Sequence, residues 1–541
     1  MAGVHIESCS RASVACAALL ILFAKGALAQ SAGPGSALAQ TAQGTVEGEL
    51  AGTVLAFRGV PYAAPPVGEL RFRPPRPPRP WSGVRAALDM SPACPQLIDD
   101  DPTENNHAVM SEDCLTLNIW TPHVDAARRP VMVWIHGGGF TVGSTRNTWY
   151  NGQYLAARGD VVVVSINYRL GAWGFLDLSS YGTGYAGSAN AGLLDQVAAL
   201  HWVRDNIREF GGDPTNITLF GESAGASSVG DLLSMPEAKG LFARVILESG
   251  LPGGRTGSMS NRHQHLTKTF LDLLKVRTAD ELAGKTMREI LDAQQRLFAT
   301  TTDIGTFGPT VDGVVLKERP FAVVAEGRAV QVPIMIGTTM EEMRYFATAE
   351  DIGIEQKPRA LLLKQLADTV GAHAVDVLAI YQRLYPAWGD TVVQIASDAF
   401  LRLPTIQLAE AASAYQPVYV YLFAYRSTST YKNFGSAHAM ELPFVFGTVN
   451  LPEVIAFTGR DPLRHKVANN VMESWIAFAR SGNPTLPAGP SWPRYDKVTR
   501  PTMILGADLN VENDPLSEQR LVWGANVPTV EQAWKLLQAN H

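Results

Sequence analysis

The run Leu219-Phe-Gly221-Glu222-Ser223-Ala224-Gly225 sets a serine between two glycines, directly after an apolar segment and ahead of a stretch compatible with a helix. A serine hydroxyl becomes a nucleophile when a neighbouring base takes its proton. The flanking glycines allow a strand-to-helix turn too sharp for a Cβ, which lifts the hydroxyl clear and aims the following N–H at a reacting carbonyl. That is acyl-transfer chemistry. A second glycine-rich run, His136-Gly137-Gly138-Gly139-Phe140, follows the apolar segment ending at Ile135. Backbone N–H groups of such a loop can stabilise an oxyanion, each by about 3–4 kcal/mol in a dry site. Gly138 and Gly139 are the expected donors, with Ala224 as the third. The competing use of such a loop, a phosphate cradle, lacks a lysine at the required spacing.

The serine needs a base and the base needs a carboxylate, in the chain order serine, acid, histidine. His263, His265, His373, His438, His465 and His541 follow Ser223. Among them His438 sits in a loop of small residues, Gly435-Ser-Ala-His438-Ala, beyond the apolar run 418–422, where an imidazole could reach the serine. Spacing leaves the acid open between Glu341 and Glu342, just past the run ending at Ile336.

These groups must be held by elements, and the elements are legible. The runs 131–135, 161–166, 217–220, 245–247, 332–336 and 418–422 are apolar without polar alternation, as strands of a parallel sheet buried on both faces require. Between two of them, Leu193, Leu194, Val197, Leu200, Val203 and Ile207 recur at helical spacing, and Gly211-Gly-Asp-Pro214 is expected to end that helix and begin a turn. Alternating strands and helices predict an α/β fold with a mostly parallel central sheet flanked by helices, forming one domain over 41–541.

The 541 residues carry a net charge of −6 with no basic stripe, which argues against a nucleic-acid partner. No long apolar run follows the N-terminus, so no membrane span is expected. Arg11, the apolar run 14–23 and Ala27-Leu-Ala29 have the pattern of a secretory signal over residues 1–29. A second Ala37-Leu-Ala39 would allow cleavage as late as residue 39. The chain is thus expected to be exported, to a periplasm or outside the cell. Cys9 and Cys16 would leave with the signal; Cys94 and Cys114 remain, either closing a loop of about 20 residues or standing as two buried thiols. No metal-ligand spacing and no cofactor motif is present, so neither a metal nor a cofactor is expected.

The chain resembles the type-B carboxylesterase/lipase family, which includes cholinesterases and bacterial para-nitrobenzyl esterases. The resemblance rests on Phe57-Arg-Gly-Val-Pro-Tyr62, Ser111-Glu-Asp-Cys114-Leu-Thr-Leu-Asn118, Asn167-Tyr-Arg-Leu-Gly171, Asn190-Ala-Gly-Leu-Leu-Asp195, Gly308-Pro-Thr-Val-Asp312-Gly313, the two glycine runs and the His438 loop. It implies the α/β-hydrolase fold with large helical insertions and hydrolysis of a small-molecule ester through an acyl-enzyme. It further implies Ser223, Glu342 and His438 as the catalytic group, a Cys94–Cys114 disulfide, and Glu222 as a carboxylate near the site. Met343 stands where the family has glycine. No Trp, Tyr or Phe lies between Cys94 and Cys114, where cholinesterases carry a cation-binding Trp, so choline esters are disfavoured. Arg146 and Arg255 are candidates to meet an anionic acyl portion, because a guanidinium pairs both carboxylate oxygens; ordinary surface charge is the alternative. The same machinery would also serve an amide, carbamate or thioester, and the fold also occurs in binding proteins with a degraded triad. Nothing in the sequence reads out the oligomeric state.

Overall fold

The computed structural model describes residues 36–97, 109–253, 260–300, 306–348 and 353–537. The proposed signal segment 1–29 and Arg255 lie outside the described residues. Among the described residues thirteen strands build one sheet. Its first part is mainly antiparallel: β1 (Ser36–Gln40), β2 (Thr45–Ala51) and β3 (Val54–Pro61) pair in sequence order and β5 (Thr116–Thr121) pairs with β3, while β4 (Val84–Ala86) runs parallel to β2. The second Ala-Leu-Ala motif, Ala37–Ala39, is thus part of β1 and is paired with β2.

The parallel part comprises β6 (Arg129–Ile135), β7 (Val162–Ile166), β8 (Gly212–Glu222), β9 (Arg244–Glu248), β10 (Ile334–Thr339), β11 (Val418–Phe423) and β12 (Pro501–Leu505). An antiparallel β13 (Leu509–Asn513) closes the far edge. The spatial order is β1-β2-β3-β5-β7-β6-β8-β9-β10-β11-β12-β13. The order reverses at β7-β6-β8, and in open parallel sheets a crevice forms at the carboxyl ends of the strands beside such a reversal.

The uninterrupted apolar runs are explained by burial on both faces. Along β6, Val131, Val133 and Ile135 enter one core, while Met132 and Trp134 enter the other. Likewise Val418 and Val420 of β11 face the first core, and Tyr419 and Tyr421 the second. A third core, with Met343, Leu362, Tyr381 and Val392 from the helical insertion after β10, is completed by Trp523 from a helix that follows β13. The helix read from spacing is present as Ala191–Asn206, extended by a 3₁₀ turn to Phe210 and ended at Gly211 with φ +79°. The turn expected at Asp213-Pro214 is instead the start of β8, where the register against β6 shifts between Arg129 and Val131 and so tolerates a proline in a strand.

The sequence motifs around this helix are structural. Arg169 grips Asp195 through Nε (2.8 Å) and Nη2 (2.7 Å), with both side chains buried, and its Nη1 reaches the carbonyl of Arg73. No helix of the described residues is long and apolar enough to cross a membrane.

Candidate active site

Five neighbouring strands, β6, β8, β9, β10 and β11, deliver residues to one end of the sheet. After β8 the chain turns at Ser223 with φ +54° and ψ −121°, a conformation that costs a non-glycine residue energy, and the helix Ala224–Ser234 begins at once. The turn is pressed against β6: a Cβ on Gly225 would stand 2.0 Å from the Ile135 carbonyl oxygen, and one on Gly221 would stand 2.7 Å from it. The glycines of the motif are therefore demanded by contact with the adjacent strand. Ser223 N–H donates to the Glu248 carbonyl at 2.8 Å, which pins the bend to β9. Ala224 opens the helix, so its N–H has no carbonyl partner within that helix.

The glycine loop after β6 has Gly138 at φ +95° and Gly139 at φ +60°. Its shape is held from outside. His136 stacks on Tyr168 at 4.5 Å, and burial pushes its imidazole down to about 4, so the ring is a neutral part of the scaffold. Gln96, two residues from Cys94, donates from Nε2 to the Gly143 carbonyl and accepts from Gly143 N–H. Cys94 and Cys114 are disulfide-bonded, which anchors that glutamine segment. Gly139, Ser223, Ala224, Phe346, Leu401 and His438 line one cleft of about 490 Å³, counting its open mouth.

His438 follows β11 in a loop tied back to β10. Its Nδ1 lies 2.6 Å from Glu342 Oε2, and its Nε2 lies 3.0 Å from Glu222 Oε1. Glu342 is fully buried and its other oxygen accepts from Ser249 Oγ (2.6 Å) and Thr339 N–H (2.7 Å). The choice between the two adjacent glutamates is thus made by partners. Glu341 points elsewhere: it accepts from Ser436 N–H at 2.9 Å and pairs with Arg426 (2.6 Å) and Arg344 (3.2 Å). It anchors the histidine loop without touching the ring. Met343, the departure from glycine, does not take a positive φ, and its side chain fills the third core. Its N–H donates to Ser397 Oγ at 2.9 Å, so the acid keeps its register.

The structure does not bring Arg146 to this cleft. Its Nη1 donates to the carbonyls of Met90 (2.9 Å) and Ser91 (3.2 Å), and it is not among the lining residues. The side chain is spent on a neighbouring loop, and with Arg255 undescribed no arginine supports an anionic acyl portion. Sequence reading also missed Ser249, which orients Glu342, and the apolar lining residues Phe346 and Leu401. Ser249 carries a signal visible only afterwards: it stands one residue past the end of β9, at the same level as Ser223 past β8.

Behind the histidine lie further buried carboxyl groups. Glu248, in register with Glu222 across β8 and β9, accepts from Trp475 Nε1 at 2.8 Å, yet burial pushes its carboxyl up to about 8. Burial and the neighbouring Glu342 and Glu248 raise Glu441 well above the usual range as well. A raised acid binds its proton in the folded state over a window in which the unfolded chain has lost it, so stability falls as pH rises from about 4.5 to about 8. Glu248→Gln keeps an acceptor for Trp475 and removes that penalty. The variant is expected to gain on the order of 2–4 kcal/mol relative to the parent between pH 5 and pH 8, read as a flatter dependence of Tm on pH. An unchanged slope would show that Glu248 is ionised in the folded protein.

Among the described residues no cluster of His, Cys, Asp or Glu is arranged to hold a metal ion. Residues 35–523 match the model of the carboxylesterase family. The chain is 39% identical over 489 residues to a para-nitrobenzyl esterase of Bacillus subtilis (strain 168), covering 89% of this chain and 97% of the relative. It is 35% identical over 470 residues to a fumonisin B1 esterase of Sphingopyxis macrogoltabida, covering 84% of each. A solved Geobacillus stearothermophilus carboxylesterase superposes with a TM-score of 0.79 at 39% identity, covering 90% of this chain and 99% of that one.

Proposed function

The chain belongs to the carboxylesterase family and is a carboxylic ester hydrolase of the α/β-hydrolase fold, and from that premise we propose that it works through an acyl-enzyme on Ser223. The observation that carries the reading is that His438, held by Glu342 at 2.6 Å, and Ser223 line the same cleft. In the first half, Ser223 Oγ bonds to the ester carbonyl carbon while His438 Nε2 takes the hydroxyl proton. The carbonyl π electrons move to oxygen, and the oxyanion is met by the N–H groups of Gly138, Gly139 and Ala224. Collapse breaks the bond to the alkoxy oxygen, which leaves with the proton from His438. In the second half, water gives its proton to His438 and its oxygen to the acyl carbon; the acid product leaves and Ser223 regains its proton.

Glu342 fixes the ring with the proton on Nδ1, which leaves Nε2 free to accept. Glu222 Oε1 lies 3.0 Å from Nε2, close enough to stabilise the imidazolium formed in both halves. The cleft wall is mostly hydrocarbon, which suits small esters with apolar substituents. Export of the mature chain, with cleavage after Ala29 leaving β1 intact, accords with the bonded pair Cys94–Cys114.

A small dialkyl fluorophosphate tests the chemistry directly. It is expected to transfer one phosphoryl group to Ser223, identified by peptide mass, and to abolish hydrolysis of para-nitrophenyl acetate in proportion to labelling. Hydrolysis that survives full labelling, or a label on another serine, contradicts the acyl-enzyme on Ser223.

A further inference from the structure

Between the helices Trp388–Ser397 and Leu403–Ala412 the chain widens into a π-turn, Asp398–Arg402. Leu403 N–H donates to the Asp398 carbonyl, a span of five residues. Pro404 gives a reason for the widening: it has no N–H for the Phe400 carbonyl, and in α geometry its ring would press on that same carbonyl. Such single widened turns occur most often at functional sites. Here the widened turn carries Phe400 and Leu401 into the lining of the cleft that holds Ser223.

The turn is locked from behind by charge buried in the helical insertion. Arg402 reaches back to Asp398 through Nε (2.5 Å) and Nη2 (2.6 Å), and both side chains are buried. A buried ion pair persists only where further hydrogen bonds satisfy its oxygens. Tyr381 provides one, donating its hydroxyl to Asp398 and accepting from Trp523 Nε1 at 2.9 Å. In front, Ser397 accepts the N–H of Met343, the residue after Glu342. One rigid segment thus joins the cleft wall to the backbone beside the residue that holds His438.

We infer that this π-turn sets which ester chains the site accepts: Phe400 and Leu401 form the wall against which the substrate's apolar chain packs, and Tyr381 is a positioning residue that fixes the wall through Asp398. The inference rests on the ester-hydrolase reading of the cleft and names its size selectivity. The bond-making step stays with Ser223, His438 and Glu342, and the inference leaves it unchanged.

The test compares the parent with Leu401→Ala, Phe400→Ala and Tyr381→Phe on two series: para-nitrophenyl esters from acetate to decanoate, and acetates of alcohols of increasing bulk. Shortening the wall is expected to raise kcat/KM for long or bulky members relative to the shortest by about tenfold in at least one series, mainly through KM. Tyr381→Phe, which loses the hydroxyl's two hydrogen bonds, to Asp398 and from Trp523, and no volume at the cleft, is expected to move the same ratio about threefold, with the pH profile of kcat/KM unmoved. A purely structural role for the turn would scale every ester down together and leave the ratios alone. Ratios unchanged in Leu401→Ala and Phe400→Ala, with fluorophosphate labelling of Ser223 intact, overturn the inference whether or not Tyr381→Phe folds. If the parent neither hydrolyses esters nor is labelled at Ser223, the underlying reading falls, a result the labelling control separates from the first.

Discussion

With Ser223 replaced by alanine, kcat for a neutral para-nitrophenyl ester is expected to fall by about 10⁵–10⁶-fold while KM stays close to the parent value. The backbone gives the reason that KM is spared. Residue 223 already holds φ +54° under the pressure of β6 and the bond from its N–H to Glu248, and alanine meets the same constraint as serine does. The bend, the Ala224 N–H and the cleft wall therefore remain. A residual rate about 10³-fold above that in water should persist, because oxyanion donors and binding act without the nucleophile. His438→Ala should lose about as much as Ser223→Ala, and the double variant no more than about tenfold further, since a base is useless without the hydroxyl it serves. Steady-state kinetics on the three proteins decide the matter. Losses that multiply would mean that the two side chains act on separate steps.

What the sequence disclosed, and what it withheld, follows from the reach of the forces involved. Ser223 was legible because the glycines around it answer to a local turn, and six of the seven parallel strands because burial on both faces leaves a continuous apolar run. The strands β1 to β5 were not legible. β2, with Glu47, Gly48 and Glu49 in its middle, gains its place from pairing with β1 and β3, and its polar residues Thr45, Glu47 and Glu49 are half-buried. Arg146 illustrates the opposite failure. Its type suits a carboxylate, but where a long side chain points depends on acceptors, and the carbonyls of Met90 and Ser91 claim it from 55 or more residues away. The π-turn was invisible for a related reason. Pro404 forbids a regular helix locally, yet whether the chain breaks, kinks or widens there depends on Asp398, Arg402, Tyr381 and Trp523 meeting across more than a hundred residues.

The adjacent glutamates after β10 make the sharpest case, since spacing treats them alike and the structure separates them. Glu342→Gln is expected to lower kcat by about 10⁴-fold, and Glu341→Gln by less than tenfold. A glutamine at 342 has one acceptor and one NH₂ group to place. Ser249 Oγ and Thr339 N–H both donate to the oxygen that faces them, and a backbone N–H cannot become an acceptor. The amide must therefore turn its oxygen to Thr339 and its NH₂ to His438. Nδ1 then accepts instead of donating, the ring proton moves to Nε2, and the atom that should take the Ser223 proton already carries one. At position 341 the amide oxygen can still accept from Ser436 N–H; what is lost is charge opposite Arg344 and the exposed Arg426, so the loop is loosened but the tautomer is preserved. That change should appear as a lowered Tm, on the order of 1–3 kcal/mol for breaking a buried charge contact. Measuring kcat and Tm for both variants separates the two roles. A larger kcat loss at 341 than at 342 would show that the histidine is governed through its loop and that the 2.6 Å contact to Glu342 does not set its tautomer.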